Sequence, residues 1–95
     1  MHLKDNHSND KPVSSFAIFK GELGTATSLQ ILKDQRINEH VSKVPALLIC
    51  VVGGVLFENE KGISETLLSG DFINIEGLVI HWLVGKSDCQ VILLK

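Results

Sequence analysis

Tyrosine is absent from this 95-residue chain, tryptophan occurs once and phenylalanine four times. A surface that reads nucleic acid presents a cationic stripe, commonly with aromatic rings for stacking. Here nine lysines and arginines face eleven aspartates and glutamates, giving a net charge of −2, and no basic run occurs. Nucleic acid is therefore not an expected partner. No run of about 20 apolar residues is present, so no membrane-spanning helix is expected. The opening "MHLKDNHSNDKP" is polar and lacks the apolar core of a secretory signal. The two cysteines, Cys50 and Cys89, are far apart and each lies in an apolar run. That excludes a C-x-x-C motif and a disulfide framework, and points to buried free thiols in a reducing, cytoplasmic compartment. Phosphate-cradling loops, zinc-finger spacing and Ser-His-Asp order are also missing, and Gly53-Gly54 reads as a turn.

What is present is apolar residue: 44% of a chain long enough for one small core. So high a share in so small a domain implies that a second subunit covers part of it, and a homodimer is expected. Residues 1–12 read as a flexible tail, with His2 and His7 as solvated side chains. Residues 13–95 read as one domain of short strands. "VSSFAIFK" and "ATSLQILK" flank the turn-like "GELG", and "DQRINEH" leads into the loop "VSKVP". "ALLICVV" is an unbroken apolar run that suits a central strand with both faces covered. "VLFENE" and "ISETLLS" form a hairpin about Lys61-Gly62. "GDFINI", "LVIHWLV" and "CQVILL" complete about eight strands with turns every 8 to 12 residues, the pattern of a β-sandwich or barrel. "SLQILKDQRINEH" carries a competing reading as an amphipathic helix, with Leu29, Leu32 and Ile37 near one face and Ser28 as its cap.

Gly70 and His81 stand at the spacing of a Gly and a His in the second motif of the cupin superfamily, and Gly70-Asp71 matches its turn. The stretch from about Gln35 to Leu94 resembles that superfamily. In the second motif Glu76, Leu78 and Gly85 replace the expected Pro, Gly and Asn. In the first motif, aligned on Gly53, His40 stands at the first His, Ser42 at the second His, Ala46 at the Glu and Asp34 at the opening Gly. The resemblance implies an all-β fold, a single small cupin barrel also describable as a jelly roll or double-stranded β-helix. It also implies a site for a divalent metal (iron, manganese, nickel or zinc) held by three histidines and a glutamate, of which only His40 and His81 remain. Imidazole and carboxylate suit such ions, whereas Ser is a poor ligand and Ala is none.

Strand alternation puts Val79, His81 and Leu83 on one face and Ala46, Leu48 and Cys50 on another. With Ser42 these residues are the expected pocket lining. His81 reads as a ligand, a base or a hydrogen-bonded core imidazole. Cys50 reads as a structural thiol, Glu76 as a solvated carboxylate, and Trp82 as facing away from His81. Three functions stay open: a small-molecule-binding or interaction module with an incomplete metal site, a metal-dependent oxygenase or isomerase using His40 and His81, or a structural, dimerising partner. The segment "SFAIFK" is the expected pairing strand.

Overall fold

The computed structural model describes all 95 residues. Nine strands form: β1 (Val13–Lys20), β2 (Thr25–Ile31), β3 (Arg36–His40), β4 (Ala46–Val52), β5 (Gly54–Asn59), β6 (Ser64–Leu68), β7 (Phe72–Ile75), β8 (His81–Gly85) and β9 (Cys89–Leu94). They make two antiparallel sheets, one ordered β1-β2-β9-β4-β7 and one ordered β3-β8-β5-β6. The all-β expectation is met, and the helix reading of residues 28–40 gives way to β2 and β3 with a turn between them. The β5–β6 hairpin turns about Lys61-Gly62 as expected.

The sheets close on a core that includes Ile31, Leu48, Cys50, Val55, Phe57 and Val91, all essentially inaccessible to water. Each core strand sends alternate residues inward, so the sequence period of two becomes burial on one side of the sheet. The run "ALLICVV" departs from its expectation. Ala46, Leu48 and Cys50 are buried, Leu47 and Ile49 are only half-buried, and Val51 and Val52 are exposed. An apolar run reads the same whether one face or both are covered, and here only the inner face meets another sheet.

A ninth strand appears where the sequence reading had a lead-in to a loop. β3 pairs with β8 at the edge of the four-stranded sheet, and Ile37 is its only residue that is even half-buried. An edge strand with four exposed residues has no apolar alternation to betray it.

Residues 1–12 fold back onto the domain and do not trail away from it. A single 3-10 turn, Leu3–Asn6, is capped by the His2 ring, which accepts from the Lys4 N–H, and by Asp5, which accepts from the His2 N–H. His7, expected to be solvated, is half-buried. Its Nδ1 lies 2.6 Å from Ser14 Oγ and its Nε2 lies 2.9 Å from Ser28 Oγ. Ser28 is fully buried on the outer side of β2, and this ring satisfies its hydroxyl.

Candidate functional site

The site begins with a register. β3 and β8 run antiparallel, and His40 is paired directly with His81. Residues opposite each other on neighbouring strands place their side chains together on one face. The two imidazoles accordingly meet edge to face, with ring centroids 4.1 Å apart. Phe57 from β5 lies against the other side of the His81 ring, with centroids 5.8 Å apart and planes 25° apart. His81 is 4% exposed, whereas His40, the last residue of β3, is exposed.

Both rings are tied to backbone. His81 Nδ1 donates to the Val79 carbonyl at 3.2 Å, and His40 Nδ1 donates to the Asn38 carbonyl at 3.3 Å. A carbonyl can only accept, so each Nδ1 carries a proton and the neutral ring keeps its lone pair on Nε2. Burial pushes the His81 pKa below the ordinary imidazole value. The Val79 carbonyl opposes that shift, while neighbouring His40 and Lys95 reinforce it. The His7 pKa is likewise lowered by burial.

These shifts fix a pH dependence. A proton binds the unfolded imidazole at about pH 6.5 but binds the folded one less readily. The contribution of both residues to stability is therefore complete above about pH 6.5 and is lost progressively as pH falls below it. Urea unfolding midpoints between pH 8 and pH 5 are expected to drop on the acid side. The drop should be smaller in a His7→Gln, His81→Gln double variant. Equal acid sensitivity in the variant would show that these imidazoles do not carry the effect.

Beside the two rings lies a cavity of about 200 Å3, lined by Leu29, Ile37, His40, Leu48, Ile75, His81, Leu83 and Leu93. Of the expected lining residues, Leu48 and Leu83 join the two histidines there. Ser42, Ala46, Cys50 and Val79 are buried but do not line it. Leu29, Ile37, Ile75 and Leu93 were not foreseen. Leu29 and Ile37 stood in the segment with the competing helix reading, Ile75 lies between the motif positions Gly70 and Glu76, and Leu93 comes from a strand outside the motifs. Alternation along β2, β7 and β9 was the signal that points them inward.

The residues present do not fit a resident divalent metal of the kind the resemblance implies. No group of three or more His, Cys, Asp or Glu side chains comes together, and a stable site needs three or four donors. Three carboxylates, Glu76, Glu39 and Glu60, are engaged elsewhere. Glu76 pairs with Lys61 at 2.9 Å, Glu39 with Arg36 at 2.6 Å, and Glu60 accepts from the Ile80 N–H at 2.6 Å. Ser42 Oγ accepts from the Lys95 ammonium at 3.2 Å, and the Ala46 side chain has no donor atom for a metal.

Neither thiol supplies a nucleophile. Cys50 points its Sγ at the Val52 and Gly53 carbonyls, and its pKa is raised by burial and then by Asp71. Burial, helped by Cys50, pushes the Cys89 thiol up to about 11, so little thiolate exists at neutral pH. Trp82 turns away from the cavity and donates from Nε1 to Glu58 at 3.1 Å.

No family model and no curated protein matches this sequence. Solved structures match over nearly its whole length. A cupin superfamily protein from Desulfitobacterium hafniense has a TM-score of 0.87 at 13% identity, covering 98% of this chain and 84% of that one. A conserved protein of unknown function from Streptococcus pyogenes has a TM-score of 0.84 at 18% identity, covering 99% and 82%. KdgF from Halomonas sp. has a TM-score of 0.80 at 18% identity, covering 93% and 82%. A shared fold carries no chemistry with it. The chain is a small cupin-fold domain, a β-barrel of two antiparallel sheets.

Proposed function

We propose that this domain binds a small molecule in the cavity beside His40 and His81, as a ligand-binding or interaction module whose metal site is incomplete. The observation that carries this reading is a cavity with six aliphatic side chains and two imidazoles and no third metal donor. Apolar surface moved from water onto such a lining contributes roughly 25 cal/mol per Å2, and the imidazole Nε2 atoms orient a polar group. Elemental analysis of tag-free protein purified without chelator tests the first half of this reading. Far less than one iron, manganese, nickel or zinc per chain is expected, and stoichiometric metal would overturn it. The second half predicts that small organic fragments raise the melting temperature. A ligand at 100 times its Kd adds about 2.7 kcal/mol.

A second copy of the chain is the partner this reading assigns to the outer face of the five-stranded sheet. Phe72, Ile49, Ile92, Ser28 and Phe16 stand opposite one another in a single row across all five strands, roughly 20 Å at about 4.8 Å per strand. Leu47, Leu94, Ala26 and Phe19 form most of a second row. Phe16, Phe19 and Phe72 are 43%, 64% and 62% exposed, which is costly for an isolated domain. The strand "SFAIFK" contributes Phe16 and Phe19 to this face. Sedimentation at micromolar concentration is expected to give a dimer that Phe16→Glu disrupts. A monomeric wild-type chain would overturn this assignment. A cytoplasmic location accords with two free, buried thiols.

A further inference from the structure

We infer that the cavity takes a small neutral alcohol on an aliphatic or alicyclic frame, its hydroxyl donating to His81 Nε2. This rests on the ligand-binding reading above and names the class of ligand.

Each nitrogen of the His81 ring has a definite role. Nδ1 donates to the Val79 carbonyl at 3.2 Å, the one hydrogen bond the ring makes. The neutral ring then has no second proton to offer, and Nε2 can only accept. Its ring neighbours bring no donor to that atom: His40 meets it edge to face and Phe57 stacks on it. Gln90 Oε1 is the one polar atom of a shielded side chain that lacks both a hydrogen-bond partner and contact with solvent. His81 Nε2 lacks the partner, so solvent touches it, although the residue as a whole is 4% exposed. His81 lines the cavity of about 200 Å3 and no other. That cavity is therefore the space onto which Nε2 opens. An acceptor left without a donor in so apolar a setting is costly, and a ligand that brings a donor removes the cost.

The rest of the lining selects among donors. It is two isoleucines, four leucines and the two histidines, with no acidic residue. An ammonium group would donate, but its charge would lie against aliphatic side chains with no carboxylate to pair with. A ketone only accepts, and would set its lone pairs against that of Nε2. A hydroxyl donates without carrying charge. His40 does not oppose it, because its Nδ1 is also committed to a backbone carbonyl and its Nε2 is a second acceptor. A volume of about 200 Å3 holds about seven water-sized units at about 30 Å3 each. Cyclohexanol, a ring of six carbons with one hydroxyl, fills that space.

Cyclohexanol, cyclohexanone and cyclohexylammonium share a frame and differ only in the polar group. Each is titrated to millimolar concentration into the full chain at pH 8, above the ordinary imidazole pKa of about 6.5, and followed by amide and imidazole 15N resonances. Cyclohexanol is expected to bind about tenfold more tightly than cyclohexanone, the difference between a made and an unmade hydrogen bond at a nearly buried acceptor. Cyclohexylammonium should bind more weakly than the alcohol. The His81 Nε2 resonance should move upfield with cyclohexanol, as an acceptor's does, and stay in place with the ketone. His81→Phe keeps a ring against Phe57 and should erase the alcohol's advantage while leaving cyclohexanone binding unchanged. Should that variant not fold, the wild-type Nε2 resonance decides alone. Equal affinity for alcohol and ketone, or an Nε2 resonance unmoved by bound cyclohexanol, would overturn the alcohol assignment and leave the ligand-binding reading standing. Tighter binding of cyclohexylammonium, or an alcohol preference that survives His81→Phe, would overturn it too. Binding of none of the three probes would overturn both.

Discussion

Replacing Phe57 with alanine is expected to lower the unfolding free energy by about 3 to 5 kcal/mol. Phe57 is 1% exposed and sits on β5, which is hydrogen-bonded on both sides, to β6 and β8. Leu83 is its direct cross-strand partner. Removing the ring loses its transfer energy and leaves a void that strands held by ladders on both edges cannot close. A domain of this size has roughly 5 to 14 kcal/mol of stability in total, so the variant approaches the threshold of folding. The effect reaches the site as well, because the His81 ring rests on Phe57. Urea unfolding followed by circular dichroism measures it. A loss under about 1 kcal/mol would mean that the barrel collapses onto the gap.

Gly85→Ala carries the second large effect, about 3 kcal/mol, through overpacking. A Cβ at Gly85 runs into the Leu32 carbonyl oxygen and comes within 3.0 Å of Ile31 Cγ2. The backbone has nowhere to retreat. The Gly85 N–H donates to the Gln35 carbonyl at 2.8 Å, and its own carbonyl accepts from the Asp34 N–H at 2.8 Å. Those bonds anchor the turn that leads into β3, so the substitution also strains the strand that presents His40. Gly62→Ala serves as the control. Gly62 has φ +87° with no atom near its Cβ position, and the substitution should cost only about 1 kcal/mol. If Gly85→Ala costs no more than Gly62→Ala, the loop yields and the close approach is not the constraint.

His81 stands where it does for a reason visible in one dimension. Its β8 neighbours alternate, Leu83 inward with it, and Trp82 and Val84 only half-buried on the other side. The common inward face of Ala46, Leu48 and Cys50 on β4 was legible in the same way, although the sequence read the opposite face as covered too. Such alternation is a local property, set by the pleat of a single strand. His40 was found through motif spacing, and its strand was not recognised. β3 is held to the barrel by its hydrogen bonds to β8 and by little burial, and hydrogen-bond partners leave no trace in a polar sequence. The N-terminal segment was missed for a related cause. Its docking depends on His7 meeting Ser14 and Ser28, three residues that nothing in the sequence links.

By itself the sequence determined the all-β class, the turns and the inward residues around His81 and along β4, because residue type and a period of two suffice for each. Only the tertiary structure decided that His40 lies opposite His81, that Lys95 reaches Ser42, and that Phe72, Ile49, Ile92 and Phe16 fall in one row across the larger sheet. Each of these depends on the register between strands distant in sequence. Register is set by the packing of the whole barrel, and a one-residue slip would send every one of these side chains to the opposite face.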